Sequence, residues 1–219
     1  MYHWVSDKSF LKDAYFCCSD LVNQLVQNLK NYDIYAAMNV VGSKSRNMIT
    51  QNENKKIDFD FNLLIENASP RTNAEKLKTT IQTAFNDVLR KNDLHDCEDS
   101  TSALTTKSMH FPKGNRTEFS IDVCIVVSDS FGNLYRLIHS KTGIVNLDQW
   151  YWNQVPNSYE LHKKEAYIKQ NPSNWLIVRE KYLHKKNLYL TRNDHNHPSF
   201  ICYVESINEV YNELQNKWL

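Results

Sequence analysis

VVGSKSRNMITQNENKKIDFDFNLLI, residues 40–65, decides the fold. Its two leading valines end an apolar run, Ile34 to Val41, that reads as a mostly buried strand and stops at Gly42-Ser43. Its last nine residues, Ile57 to Ile65, alternate and are rich in Phe and Ile, the pattern of a second strand. The polar TQNENKK between them, Thr50 to Lys56, lacks periodicity and reads as a loop or the tip of a hairpin. Strand side chains alternate, so Asp58 and Asp60 point to one face and Phe59 and Phe61 to the other. Aspartate is depleted from strands and neighbouring like charges repel, so the pair is unfavourable unless a cation lies between them. Magnesium is the hard cation that suits such a pair, and it usually takes one or two carboxylates plus substrate phosphates.

Upstream, apolar residues recur at three- and four-residue steps from Ser9 to about Tyr32, which predicts one amphipathic helix. Downstream, residues 73–91 place Leu77, Ile81, Ala84, Phe85, Val88 and Leu89 on one stripe after Asn73, a second helix. Two strands are expected next, Ser102 to Phe111 and Glu118 to Val127, joined by the P-K-G-N-R turn, then a short strand from Asn133 to His139. From Trp150 onward the pattern is largely helical, and a terminal helix is expected to start at Ser206. The order implies an α+β fold, a mixed sheet with helices on one face and a helical C-terminal part. The expected division is a domain over 1–145 and a mainly helical region over 146–219.

A third acid, Asp122, interrupts FSIDVCIVV, a run otherwise fit for a buried strand. A lone buried carboxylate costs several kcal/mol unless it is paired or metal-bound, roughly by the desolvation argument. Three carboxylates on adjacent strands bridged by two metals about 3.5–4 Å apart form a site that activates a hydroxyl and neutralises a leaving group. Taken alone, Asp58 and Asp60 also fit the wet edge of a hairpin; Gly42-Ser43 before them and Asp122 after them favour the metal reading.

These residues together resemble the DNA polymerase beta-like nucleotidyltransferases: a strand ending in Gly-Ser, an excursion, a D-h-D strand, then a later strand with one more Asp. The resemblance covers about Val40 to Val127. It implies a metal-dependent transfer of a nucleoside monophosphate from a triphosphate, ATP among the candidates, to a hydroxyl, with loss of pyrophosphate. It implies that Asp58, Asp60 and Asp122 hold Mg2+, or Mn2+, and that Gly42 and Ser43 hold the triphosphate. Lys44 and Arg46 follow at once and could add charge to the phosphates. Fourteen residues separate Ser43 from Asp58, a slightly long spacing that TQNENKK accounts for. Beyond residue 130 the chain is similar, more loosely, to the oligoadenylate and cyclic-oligonucleotide synthase branch. The acceptor, whether a small molecule, a protein side chain or an RNA end, is not read from the sequence. The alternative is a nucleotide-binding or toxin–antitoxin-type interaction protein of the same fold without turnover.

Composition narrows the rest. Twenty-six basic and 25 acidic residues nearly cancel, so no global field marks a polyanion-binding surface. Only four glycines occur, and neither G-x-x-x-x-G-K-[ST] nor G-x-G-x-x-G is present. The five cysteines are expected to be reduced thiols. No secretion signal opens the sequence and no long apolar run crosses it, so a cytoplasmic protein without membrane contact is expected. His195 and His197, in NDHNHP, lack nearby cysteines and make a weak zinc signal against a plain loop. Trp150, Tyr151 and Trp152 are expected to pack between lobes, with base stacking by one of them or by Tyr159 as the alternative. The lysines of residues 163–186 read as the wet side of helices, with phosphate contact as the alternative.

Overall fold

A computed structural model of the chain describes residues 1–156, 159–194 and 198–216. The side chains of residues 145 and 159 also lie outside the description, as do His195 and His197. In chain order the elements are β1 (Tyr2–Trp4), α1 (Lys8–Leu29), β2 (Ala36–Val40), α2 (Gly42–Ser45), β3 (Thr50–Asn52) and β4 (Ile57–Ile65). There follow α3 (Ala74–Lys91), β5 (Glu98–Asp99), β6 (Leu104–Thr105), β7 (Phe119–Ser128), β8 (Leu134–Ser140) and β9 (Gln149–Gln154). Three helices complete the series: α4 (Tyr159–Lys169), α5 (Pro172–Thr191) and α6 (Ser199–Asn216). They fall into two compact units, Val5–Asn47 with Lys55–Val155, and Met1–Trp4 with Met48–Asn54 and Pro156–Leu219.

The first unit holds a seven-stranded mixed sheet. β2 runs antiparallel to β4, and β4 runs parallel to β7. The far edge of β7 is shared: β6 pairs at Val123 and Asp122, and β8 pairs over Val126 to Ser128. β5 extends β6 and β9 extends β8, both antiparallel. Phe59, Phe61, Phe119, Ile121 and Val123 are all buried on one face. On that face α1 lays its buried stripe of Phe10, Ala14, Cys18, Leu21, Val22 and Leu25, with Phe10 edge-on to Phe119 and Tyr15 stacked on Phe61. Burying each such large side chain contributes about 1.5–3 kcal/mol. Asp7 caps α1 by accepting from the Phe10 amide at 2.9 Å, and the helix gives way to a tight turn ending at Asp33 in left-handed conformation. Asn73 caps α3 in the same way through the Lys76 amide.

Two expectations in this unit change. The strand expected over 102–111 is reduced to Leu104–Thr105 and one bridge, Met109 to Phe119. Thr106 explains the interruption of the register, since its hydroxyl accepts from the Ile121 amide while its own amide donates to the Ile121 carbonyl. The aromatic run from Trp150 is a strand, β9, not the start of the helices. Its period is two: Trp150 and Trp152 take one face, with Trp150 stacked on His139 at 4.1 Å and the Trp152 indole donating to the Thr72 carbonyl.

In the second unit α4, α5 and α6 gather Ile168, Val178, Tyr182, Cys202, Tyr203, Ile207 and Val210 around Met48. β3, expected as loop, is a strand because β1 supplies its partner, Tyr2 opposite Asn52 and Trp4 opposite Thr50. Asn187 clamps the Tyr2 backbone from both sides, accepting from its amide and donating to its carbonyl. The terminal helix starts seven residues earlier than expected, at Ser199, and Ser206 is no cap. Its hydroxyl, buried mid-helix, donates to the Cys202 carbonyl at 2.7 Å. The lysines of this unit are engaged: Lys181 pairs with Glu209 and Glu213, Lys185 with Glu209 and Glu205, and Lys169 with Glu165. All five cysteines are free thiols, four of them buried. No helix among the described residues is long and apolar enough to cross a membrane.

Candidate active site

The parallel register of β4 and β7 sets the site. Asp58 lies opposite Ser120, Asp60 opposite Asp122, and Asn62 opposite Cys124. Paired residues in adjacent strands project to the same side. All three acids therefore share the face that α1 does not cover, on neighbouring strands.

Gly42 closes the site on the β2 side. The Val41 amide donates to the Asp60 carbonyl at 2.9 Å, which brings the turn after β2 against the middle of β4. Gly42 has φ +66°, and a Cβ on it would lie 2.0 Å from Asp60 Oδ2. Only glycine meets both demands, left-handed backbone and contact with a carboxylate. Ser43 follows in α2, a single turn. Arg46 donates to the Gly42 carbonyl at 3.0 Å, and its charge acts on Asp60. Lys44 points elsewhere: its ammonium lies 4.6 Å from the centre of the Tyr15 ring, on the α1 side.

The acids differ in their surroundings. Ser120 donates to Asp58 Oδ1 at 2.5 Å, and Lys56 lies 3.7 Å from the same oxygen. Thr105 donates to Asp122 Oδ1 at 2.6 Å. Burial pushes the Asp60 carboxyl up to about 6, with the Asp122 and Asp58 charges adding to the rise and Arg136 and Arg46 opposing it. Burial also raises Asp122, against the Thr105 hydrogen bond and the Lys56 charge. Buried carboxylates whose proton affinity is raised by neighbouring acids mark a place where added positive charge is favourable.

Among the described residues no three His, Cys, Asp or Glu side chains converge closely enough to hold a metal ion by themselves. The donors are nonetheless of the right kind: hard carboxylate oxygens on one face, two of them destabilised as anions. Mg2+ typically completes its shell with substrate phosphates and water rather than an all-protein cage, so an open set of this kind fits it.

Sequence reading found the three acids and Gly42 and missed Ser120, Thr105, Lys56 and Arg136. Ser120 and Lys56 were findable from alternation and proximity to Asp58. Thr105 and Arg136 reach the face only through the split edge of β7, which no local pattern reveals. His139 is not in this site. It is buried, with Nδ1 2.6 Å from Asp99 Oδ2 and Nε2 3.3 Å from Asp148 Oδ2. Nor do the acids line the surface cavity of about 540 Å³ bounded by Pro70, Thr72, Asn73, Tyr135, Trp150 and Trp152. The chemistry of the side chains, not the size of a hollow, marks the site.

No protein-family model and no curated protein matches the chain. Solved structures do, and they define a class by fold alone: the chain is similar in fold to the bacterial CdnC and CdnE proteins. The E. coli MS115-1 CdnC, in complex with HORMA-deltaN, matches at a TM-score of 0.58 and 13% identity over 92% of this chain and 60% of its own. The same CdnC with ATP matches at 0.55 and 12%, over 92% and 59%. The Elizabethkingia meningoseptica CdnE cyclic dinucleotide synthase, with GTP and Apcpp, matches at 0.54 and 15%, over 89% and 69%. At such identities the likeness is one of fold, and the chain spans about three fifths of the CdnC length.

Proposed function

We propose that the protein is a metal-dependent nucleotidyltransferase that moves a nucleoside monophosphate from a nucleoside triphosphate to a hydroxyl acceptor. The observation that carries this is the β4–β7 register, which sets Asp58, Asp60 and Asp122 on one open face with Gly42 pressed against Asp60. The acceptor oxygen bonds to the α-phosphorus, the bond from that phosphorus to the pyrophosphate oxygen breaks, and the hydroxyl proton leaves to solvent. In this reading the Gly42 and Ser43 amides and the Ser43 hydroxyl take the triphosphate, with Arg46 adding charge beside them. Mg2+ or Mn2+ held by Asp58, Asp60 and Asp122 would supply neutralisation of the phosphate charge. Ser120 and Thr105 fix the outer two carboxylates, so the face is pre-shaped before substrate arrives. A second nucleotide is the first acceptor to try, because the CdnE neighbour is a cyclic dinucleotide synthase.

The test is pyrophosphate release from each of the four ribonucleoside triphosphates, with nucleotide and non-nucleotide acceptors, in wild type and Asp60→Asn. Release from wild type that drops at least about a hundredfold in the variant supports the reading. A second reading, a nucleotide-binding or toxin–antitoxin-type interaction protein without turnover, is favoured by the ties that hold Asp58 and Asp122 apart on their own hydroxyls. Triphosphate binding without release under any acceptor would select it.

A further inference from the structure

The acidic face carries its own cation. Lys56 stands two residues before Asp58, at the entry to β4, with a side chain 41% exposed. Its ammonium donates to Ser120 Oγ at 3.2 Å, and Ser120 in turn donates to Asp58 Oδ1 at 2.5 Å. The same ammonium is 3.7 Å from that carboxylate, and its charge is felt at Asp122 and at Glu98. The other cations of the face are placed differently, since Arg46 and Arg136 act on Asp60. The face is therefore divided in two. At one end Asp60 meets Gly42 and the arginines, where a triphosphate is expected; at the other, Asp58 pairs with Lys56, whose charge also reaches Asp122, opposite Asp60.

We propose that Lys56 is the resident counter-cation of the Asp58 end and takes the place of one divalent ion, so that this protein binds a triphosphate with one divalent cation rather than two. The inference rests on the nucleotidyl-transfer reading above. Two positive centres within a few ångströms of the same carboxylate oxygens repel each other strongly, so an ammonium already there weakens the site for a second ion. The Ser120 hydroxyl makes the arrangement specific. It accepts from Lys56 and donates to Asp58 in one chain, and so fixes where the ammonium stands. Two other lysines of this unit are engaged elsewhere: Lys44 lies over the Tyr15 ring, and Lys78 pairs with Asp99 at 2.5 Å.

The test counts ions on the full chain by electron paramagnetic resonance of Mn2+, titrated in the presence of α,β-methylene ATP. Wild type and Lys56→Arg are expected to bind one Mn2+ per chain. Lys56→Met is expected to bind a second, at a free concentration lower than any second event in wild type by about tenfold or more. Circular dichroism and melting of each variant check that the partly exposed substitution leaves the fold intact. Two ions in wild type and in Lys56→Met alike, or one in both, would overturn the role of Lys56 while leaving nucleotidyl transfer standing. No Mn2+ with the analogue in any of the proteins would overturn the nucleotidyl-transfer reading, and this inference with it.

Discussion

Burial beside two other acids makes Asp60 costly to ionise, and this makes the stability of the fold legible in pH. Its folded proton affinity, about 6, lies above the ordinary carboxylate value of 3.8. Between those two values the folded state holds more protons than the unfolded state, so stability falls as pH rises from about 4 to about 6 and stays low above it. Asp60→Asn removes this term. Allowing for partial exposure, the variant should be more stable than wild type by about 1–2 kcal/mol at pH 7 without metal, with a flatter melting profile over pH 4–6. A strongly destabilised Asp60→Asn would instead make the acid a structural anchor. Gly42→Ala tests the neighbouring contact. Both its left-handed backbone and the approach to Asp60 argue for a loss on the order of 1–2 kcal/mol, measured by denaturant melts, with weaker triphosphate binding by calorimetry.

At the scale of elements, α3 carries stability and none of the three acids. Asn73→Ala removes the α3 cap and should cost about 1 kcal/mol, seen as a lower melting temperature, with pyrophosphate release per folded molecule unchanged. Elements with a strong single period were legible in the sequence. Ile57–Ile65 was read to the residue, α3 to within one residue, and α1 to within one residue at its start and about three at its end, because alternation and a 3.6-residue stripe each report burial directly. Leu104–Thr105 was over-read because a run of Thr and Leu suits a strand wherever it lies, while the pairing that ends it belongs to Thr106 and Ile121, distant in sequence. Trp150–Gln154 was misread from composition when its period of two was present. Ser206 looked like a cap only because nothing local shows that Pro198 has already opened the helix. In the site, the acids stood out as charges in apolar strands; Thr105 and Arg136 did not, because their place depends on two strands sharing one edge.

For the whole molecule, the proposed function links ligand binding and folding through the acid face. Anything that binds only the folded state raises its melting temperature by mass action, by about 2.7 kcal/mol at a hundred times the dissociation constant. Mg2+ and ATP together are expected to raise it more than the sum of each alone, since each completes the other's site. Asp60→Asn should abolish most of that joint shift, as scanning calorimetry would show; a surviving shift would place the ligands elsewhere.

β4 and β7 lie side by side although residues 66–118 come between them in the chain. A parallel pair cannot close through a short turn; the whole crossover with α3 must be in place first. Such distant pairings form late and slowly, because the entropy of closing the loop is lost before any contact returns it. During synthesis Asp58 and Asp60 leave the ribosome early, on a strand whose other edge stays bare until Phe119–Ser128 arrives. The face that gathers the three acids is thus closed only when β7 reaches β4, and a chain halted before residue 119 holds two of the acids beside an open strand edge that invites the wrong neighbour.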